Sequence, residues 1–269
     1  CSSDLNIEIA KSAGFCFGVK RALDIVNQLY DKGEKVFTYG PIIHNPLVIN
    51  EMKSKGIEIA EQIEKNKLNG ATLVIRSHGV SKDIIKNLEQ SDISFIDATC
   101  PFVKKIHRIV DEINKENDIL FIAGDKNHPE IQGIIGNTKA KCYTFNNSDE
   151  LLKIMENNKD FIKSPVYLVA QTTFSTSEWE KCLDIFKKVY TNAKIFDTIC
   201  SATAFRQKEA FDLSRRADLM IVIGGKNSSN TKKLYEICCK NCMTYHIESL
   251  NELPKEQILK SKLIGITAG

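Results

Sequence analysis

Three cysteines occupy the same local setting at widely separated positions in the sequence. Cys16, Cys100 and Cys200 each follow a run of β-forming residues and precede a run with helical character. A thiolate at the start of a helix is stabilised by the positive end of the helix dipole. Structural zinc usually takes four ligands, often from close pairs, whereas three thiolates suit an iron–sulfur cluster with one open iron. We therefore predict that these three cysteines hold such a cluster.

Other interpretations of the cysteines stay open at this point. The chain has nine cysteines, an odd number, and no feature that directs it to an oxidising compartment, so a disulfide framework explains them poorly. Buried cysteines could also recur simply because a duplicated fold recurs. Cys239, Cys242 and His246 have zinc-like spacing. The repeat described below aligns Cys242 with Cys142, which has no cysteine near it in sequence, and this favours an ordinary packing role.

Three histidines lie in loops that follow strand-like runs. His44, His78 and His128 each stand next to or near a glycine or proline. Donor side chains and backbone amides at helix starts can bind phosphate without a P-loop, so we expect these loops to form one anion-binding shell. Single histidines are more often structural, and serine or asparagine before a helix is also a common N-cap. The corresponding loop of the third repeat carries hydroxyl and amide groups: Ser228, Ser229 and Asn230.

A carboxylate and two hydroxyls accompany these loops. Glu130 follows His128 by two residues, and beside an open iron it could deliver a proton to a leaving hydroxyl. It could equally be an acidic residue that stabilises the start of a helix. Thr172 and Thr173 follow another strand-like run, where they could hydrogen-bond a substrate or simply end the strand.

The elements that must position these residues repeat three times along the chain. Strand-like runs alternate with amphipathic patterns such as Lys104–Ile113, which has helical periodicity and predicts parallel sheets built from βαβ units. A glycine that ends a β-rich run lies 24 residues after each of the three cysteines: Gly40, Gly124 and Gly224.

We therefore predict an α/β fold of three small, similar domains with mainly parallel sheets. Their expected boundaries are 17–99, 100–197 and 198–269, the last completed by residues 1–16. By analogy with the other repeats, the strand at Ile7–Ala10 should complete the third sheet. Ligands of open α/β sheets bind beyond the carboxyl ends of the strands, so the three domains should bring the cysteines and polar loops to a common centre.

The composition excludes several functional classes. The 269 residues carry 37 basic and 34 acidic side chains, and no basic block of the kind that binds nucleic acid stands out. Apolar runs are far shorter than the roughly 20 residues that span a bilayer. The first residues, Cys1 to Asp4, do not resemble a signal peptide. We expect a cytoplasmic protein with no nucleic-acid or membrane partner.

Eight segments in register along nearly the whole chain make the sequence similar to the 4-hydroxy-3-methylbut-2-enyl diphosphate reductase family. These segments combine the cysteines with the polar loops that follow the predicted strands. They are Gly14–Val19, Gly40–Asn45, Ser77–Ser81, Asp97–Pro101, His128–Glu130, Gln171–Thr173, Thr198–Cys200 with Arg206 and Gln207, and Lys226–Asn230.

The resemblance implies a pseudo-threefold trefoil around one 4Fe-4S cluster per chain, with Cys16, Cys100 and Cys200 as its ligands. It implies reductive removal of the allylic hydroxyl of 4-hydroxy-3-methylbut-2-enyl diphosphate, giving isopentenyl and dimethylallyl diphosphate. Glu130 would relay protons, Thr172 would orient the substrate, and ferredoxin or flavodoxin would donate electrons. A further serine ligand of the family would follow Gly269. The implied diphosphate ligands are His44, His78, His128, Thr173, Ser228, Ser229 and Asn230.

Two alternative functions have distinct expectations. A hydro-lyase with a three-cysteine cluster would use the open iron without net electron transfer, and its carboxylate substrates would call for paired arginines. A non-enzymatic binding module stabilised by zinc at Cys239, Cys242 and His246 would lose its fold on chelation.

Overall fold

Parallel strands dominate the computed structural model, which describes residues 5–113 and 115–269. Three of these strands, β4, β6 and β10, are mostly apolar and mostly buried, as is typical of strands that parallel sheets cover on both faces. The strands are β1 Asn6–Ile9, β2 Val36–Tyr39, β3 Glu58–Ala60, β4 Thr72–Ile75, β5 Ser94–Asp97, β6 Ile119–Ala123, β7 Lys141–Phe145, β8 Val166–Ala170, β9 Lys194–Ile195, β10 Leu219–Ile223, β11 Met243–Ile247 and β12 Leu263–Ala268.

Helices connect successive strands. In α5, the apolar side chains of Val103, Ile106 and Val110 recur at helical spacing and are buried, as the sequence pattern predicts. The helices are α1 Phe17–Asp31, α2 Pro46–Ser54, α3 Lys65–Leu68, α4 Lys82–Glu89, α5 Pro101–Glu112, α6 Pro129–Ile135, α7 Ser148–Asn157, α8 Thr176–Val189, α9 Ser201–Ser214, α10 Ser229–Cys239 and α11 Lys255–Lys260. None of the described helices is long and apolar enough to cross a bilayer.

The strands form three four-stranded sheets with one repeated order. The orders are β3-β2-β4-β5, β7-β6-β8-β9 and β11-β10-β12-β1, and every pairing is parallel. The N-terminal strand β1 therefore occupies the place that β5 and β9 hold in the other two sheets. It pairs with β12 from Asn6 opposite Leu263 to Ile9 opposite Ile266. The α/β class, the parallel sheets and the completion of the third sheet by the N-terminus are confirmed.

The chain divides into two compact units. The first unit contains the N-terminal residues up to Lys20, the segment Ile43–Gly56 and the segment Cys200–Gly269, and so holds the sheet of β1 and β10–β12. The second unit contains Arg21–Ile42 and Ile57–Ile199, with the other two sheets. The three domain boundaries given above stay a prediction, and Cys1 to Asp4 lie outside the described residues.

Each unit has its own apolar core. In the second unit, the side chains of Phe121 and Phe186 are fully buried and meet edge to face with ring centroids 5.2 Å apart. In the first unit, Met220 and Leu234 are buried between β10 and the helices beside it. These cores hold the strand ends, where the predicted site residues lie, on rigid supports.

Candidate functional site

Glu130 is a buried carboxyl group in the first turn of α6. Its side chain is 2% exposed, and it accepts two hydrogen bonds from Thr172, which follows β8. The backbone N–H of Thr172 donates to Oε1 at 2.7 Å, and its hydroxyl donates to Oε2 at 2.8 Å. Burial raises the pKa of Glu130 to about 7, although both hydrogen bonds act in the opposite direction. The group is therefore poised to gain or lose a proton near neutral pH.

His128 is the N-cap of α6, two residues before this carboxyl group. Its Nδ1 accepts the backbone N–H of Glu130 at 3.1 Å. An imidazole that accepts at Nδ1 and is neutral carries its proton on Nε2, so Nε2 is a hydrogen-bond donor. The ring of His128 meets that of His78 edge to face, with centroids 5.2 Å apart. Two predicted anion ligands from different strand ends are therefore neighbours within the second unit.

Gln171 is a buried polar residue to which the sequence argument gave no separate role. Its side chain is 2% exposed, and its Oε1 accepts the backbone N–H of Asp125 at 3.3 Å, while its Nε2 donates to the Thr173 hydroxyl at 3.1 Å. The amide thereby links the loop after β6 to the loop after β8. Its place directly after the mostly buried strand β8 was the available signal, because ligands of open α/β sheets bind beyond the carboxyl ends of the strands.

Cys100 lies at the carboxyl end of the sheet of β2–β5. It is the N-cap of α5, with Pro101 at the first helical position, as predicted. Its backbone N–H donates to the carbonyl of Ser77 at 3.0 Å, which ties its loop to the loop that carries His78. The thiol is partly exposed.

Cys16 and Cys200 lie at helix starts in the first unit. The carbonyl of Cys16 accepts the N–H of Lys20 at 2.9 Å, and the carbonyl of Cys200 accepts that of Ala204 at 3.0 Å, which are the first helical hydrogen bonds of α1 and α9. Both thiols are partly exposed. The side chain of Arg206, 8% exposed, donates from Nη2 to the carbonyl of Gly14 at 2.7 Å. Arg206 thus ties the Cys16 loop to the helix that begins after Cys200, a contact the sequence pattern did not predict.

Three other cysteines differ in environment from the three at helix starts. Cys182 and Cys238 are buried, and burial raises the pKa of each thiol to about 12, while burial raises the pKa of Cys142 to about 11. Such groups remain neutral thiols, which are poor metal ligands. Cys16, Cys100 and Cys200, in contrast, are partly exposed thiols that stand at helix starts.

The zinc-like spacing near the end of α10 does not produce a metal site in the described part of the chain. Cys238 packs in the core of the first unit against the carbonyl of Ala210. The Nε2 of His246 lies 2.9 Å from the carbonyl oxygen of Gly224. Cys239, Cys242 and His246 do not gather as potential metal ligands among the described residues. An ordinary role for these cysteines stays a prediction.

The loop after β10 presents buried polar atoms at the start of α10. Ser228 is the N-cap, and its Oγ accepts the N–H of Thr231 at 3.3 Å, so the capping interpretation of this serine is confirmed. Both side-chain polar atoms of Asn230 are buried without a hydrogen-bond partner among the described residues. The hydroxyls of Thr231 and Thr267 also have no hydrogen-bond partner among the described residues, and both residues are 0% exposed. Buried amide and hydroxyl groups without partners are rare, because an ordered water or a polar ligand normally satisfies them.

The loop that carries His44 packs directly on this region of the first unit. A Cβ added to Gly225 would lie 1.9 Å from the carbonyl oxygen of His44, so only glycine permits the contact. Asn45 caps α2 by accepting the N–H groups of Leu47 and Val48. The predicted ligands therefore lie close together in one unit, with His44 in its loop and the others at the start of α10: Ser228, Ser229 and Asn230.

Comparison with known proteins gives a consistent result. The family model described as "LytB protein" matches residues 7–269. A 4-hydroxy-3-methylbut-2-enyl diphosphate reductase of Caldanaerobacter subterraneus subspecies tengcongensis is 45% identical over 269 residues, covering 98% of this chain and 91% of the relative. A protein of the same name from Clostridium perfringens is 44% identical over 270 residues, covering 98% and 93%.

Two solved structures share the fold. The E-1-hydroxy-2-methyl-but-2-enyl-4-diphosphate reductase of Plasmodium falciparum superposes with a TM-score of 0.89 at 26% identity, over 99% of this chain and 83% of that chain. A structure titled (E)-4-hydroxy-3-methyl-but-2-enyl diphosphate reductase, the terminal enzyme of the non-mevalonate pathway, gives a TM-score of 0.69 at 36% identity, over 98% and 93%.

Proposed function

This chain belongs to the LytB family of reductases, and from that premise we propose that it reduces 4-hydroxy-3-methylbut-2-enyl diphosphate to isopentenyl and dimethylallyl diphosphate. The reaction breaks the allylic C–O bond and forms a C–H bond. It consumes two electrons and two protons, of which one proton leaves with the hydroxyl as water and the other ends on carbon. The observation that carries the proposal is the buried carboxyl group of Glu130, with its pKa near 7, held by Thr172.

We assign the binding of the redox group to three cysteines, Cys16, Cys100 and Cys200. These thiols are partly exposed and stand at helix starts, unlike the buried thiols of Cys182 and Cys238. A 4Fe-4S cluster bound there would supply electrons and a Lewis-acidic iron. Ferredoxin or flavodoxin would be the external source of the two electrons.

Glu130 and Thr172 form the proposed route for the proton. The carboxyl oxygen Oε2 and the hydroxyl oxygen of Thr172 are 2.8 Å apart, a distance across which a proton can pass. The Thr172 backbone N–H holds the other carboxyl oxygen in place, so the pair has one defined orientation. A carboxyl group with a pKa near 7 can donate its proton at neutral pH and can then be reprotonated for the next turnover.

The diphosphate of the substrate needs many hydrogen-bond donors, which we assign to the polar loops. Nε2 of His128 is a donor because Nδ1 is already an acceptor. The buried amide of Asn230, at the start of α10, has hydrogen-bonding capacity that no described residue uses, and the positive end of a helix favours an anion. The full proposed set is His44, His78, His128, Thr173, Ser228, Ser229 and Asn230.

The experiment is anaerobic reconstitution followed by iron, sulfide and zinc analysis and turnover of the allylic diphosphate with dithionite and a viologen. We expect close to four iron atoms and four sulfides per chain, and consumption of substrate that depends on the reductant. Turnover without the reductant would favour a hydro-lyase instead. Colourless protein that holds one zinc and consumes no substrate would refute the proposal.

A pair of cysteine variants tests the assigned ligands. Cys100→Ser should lose the cluster and all turnover, because serine replaces one of only three thiolates. Cys239→Ser is the matched control, since this cysteine is exposed at the end of α10 and belongs to no metal-ligand group of the described residues. Equal iron content in the two variants would contradict the assignment.

A further inference from the structure

Two glycines of the second unit face the same imidazole. Gly79 directly follows His78, and Gly133 lies on α6 one turn after Glu130. The imidazole belongs to His107, which lies on α5 between the buried side chains of Ile106 and Val110. This histidine has no assigned part in the reaction proposed above.

The fit between the ring and the glycines is close. A Cβ added to Gly79 would lie 2.6 Å from Cε1 of His107, and one added to Gly133 would lie 3.2 Å from its Nε2. Gly79 also has a φ of +73°, which glycine adopts without strain. The carbonyl oxygen of His78 would be 3.6 Å from the Cβ at position 133, so the His78 loop and α6 touch where the ring lies.

The imidazole ring of His107 is suited to filling space rather than to carrying a charge. Its Nε2 is buried and has no hydrogen-bond partner among the described residues. Burial lowers the pKa of His107 to about 4; the nearby carboxylate of Asp97 acts against this shift and the ammonium group of Lys104 adds to it. The imidazole is therefore neutral at physiological pH. A neutral group without a hydrogen bond at Nε2 acts on its surroundings mainly by filling space.

We propose that His107 is a positioning residue, a wedge between the His78 loop and α6 that holds the imidazoles of His78 and His128 at the spacing needed to bind the substrate diphosphate. The inference rests on the proposed function, because it assigns a purpose to a spacing that matters only if those two histidines bind an anion. The wedge contacts the backbone beside His78 through Gly79 and the helix that His128 caps through Gly133. Removing the wedge frees both to shift.

The test compares His107→Ala with the wild-type holoenzyme. We expect KM to rise about tenfold, which corresponds to one weakened hydrogen bond to a charged group, while kcat stays within about twofold. The dissociation constant of inorganic pyrophosphate, measured by calorimetry, should rise in parallel, and iron content should not change. Val110→Ala is the matched control, because it removes buried volume from the next turn of α5. It should lower the melting temperature without changing KM.

Two further variants separate the wedge from a merely structural or an acid–base role. His107→Leu fills similar space without a titratable group, and it should restore KM to within about twofold of wild type. Gly133→Ala should raise KM in the wild-type background, where its methyl group meets the ring, but have less effect in His107→Ala. Independent, multiplicative effects of these two substitutions would overturn the proposal, as would failure of leucine to restore KM.

The same measurements distinguish this inference from the proposed function. If wild type reduces the substrate and His107→Ala has an unchanged KM and pyrophosphate affinity, the wedge is refuted and the proposed function stands. If wild type binds pyrophosphate but reduces no allylic diphosphate, the proposed function fails, and the pyrophosphate affinities of the variants still decide the wedge. If wild type reduces the substrate but binds no pyrophosphate, the proposed function stands, and an unchanged KM in His107→Ala overturns the wedge.

Discussion

One strand end of the second unit, after β8, and one region of the first unit, around the start of α10, differ in how their polar groups are satisfied. In the second unit, Glu130 accepts two hydrogen bonds from Thr172, and the side chain of Gln171 bonds at both of its ends. In the first unit, the buried amide of Asn230 and the buried hydroxyl of Thr267 have no hydrogen-bond partner among the described residues. The comparison separates the proposed proton donor, which the fold has already oriented, from the proposed binding region, whose polar groups have unused hydrogen-bonding capacity.

The difference has an energetic meaning. A buried polar group without a partner costs about 1–3 kcal/mol, and a ligand that supplies the partner recovers this cost on binding. A carboxyl group that is held before the substrate arrives needs no reorganisation during the reaction. We therefore expect substitution of Glu130 to affect turnover, and substitutions of the unsatisfied groups of Asn230 and Thr267 to affect binding with little loss of stability.

The largest expected effect is on turnover in Glu130→Gln. An amide can keep both contacts with Thr172, because the hydroxyl can reverse its direction, but it cannot deliver a proton. We expect kcat to fall by at least about 100-fold, the usual contribution of a general acid, with iron content unchanged.

Glu178→Gln is the matched control for this variant. Glu178 also accepts a backbone N–H, that of Ser148 at 2.7 Å, but it is not part of the proposed site. Its kcat should match wild type. A normal rate of substrate reduction by Glu130→Gln would show that this carboxyl group does not donate the proton, and it would contradict the comparison made above.

The second prediction concerns how the free energy of unfolding depends on pH. The folded protein keeps the proton of Glu130 up to a pKa of about 7, whereas the unfolded chain loses it near 4.5. The contribution of this group to stability is therefore complete below pH 4.5 and is lost as the pH rises to 7. In Glu130→Gln this dependence should be absent.

Melting temperatures of the anaerobic wild type and Glu130→Gln, measured between pH 4.5 and 7.5, test this dependence. The stability of wild type relative to the variant should decline by about 3 kcal/mol across the window. A difference that stays constant with pH would show that burial does not raise the pKa of this carboxyl group.

A smaller effect, on binding, is expected for Asn230→Ala. The amide makes no hydrogen bond with any described residue, so its removal should leave the melting temperature of the substrate-free protein unchanged or slightly higher. KM should rise about tenfold, because a hydrogen bond to a charged phosphate is lost. Asn241→Ala is the control, since its amide donates to the Ser214 hydroxyl at 2.9 Å. That variant should lose stability and keep its KM.

The smallest predicted effects come from replacing one threonine by valine in each unit, which tests the comparison directly. Thr172→Val removes a hydroxyl that donates to Glu130, and it should lower stability by about 1 kcal/mol. Thr267→Val removes a fully buried hydroxyl that has no partner in the described part of the chain, and it should be neutral or stabilising by a similar amount. Scanning calorimetry of the two variants measures the difference, and equal losses in both would contradict the contrast between the units.

Much of the fold followed from local patterns. The apolar runs of β6 and β10 and the helical periodicity of α5 predicted their elements. The strand before Cys16 corresponds to the strands before Cys100 and Cys200, and this analogy placed β1 in the third sheet. The helix starts at Cys100 and Cys200 were predictable because each follows a strand and precedes an amphipathic segment. The family resemblance supplied the assignment of roles to these positions.

The contacts that tune the site were not predictable in this way. Gln171 reaches Asp125, and Arg206 reaches Gly14, across separations of 46 and 192 residues. The position of His107 against Gly79 and Gly133 has no counterpart in any periodic pattern. Such contacts depend on how whole elements pack, and the hydrophobic pattern of one segment carries no information about the polar group that a distant segment will present.

The amino-acid sequence by itself determined which elements form, which reactive side chains stand at their ends, and the family to which the chain is similar. The tertiary structure decided the chemical state of those side chains. Glu130 is an acid with a pKa near 7 because packing removes it from water and brings Thr172, 42 residues away, against it. Periodicity is a short-range property of the chain, whereas desolvation and hydrogen-bond partnership arise only when distant segments are packed together.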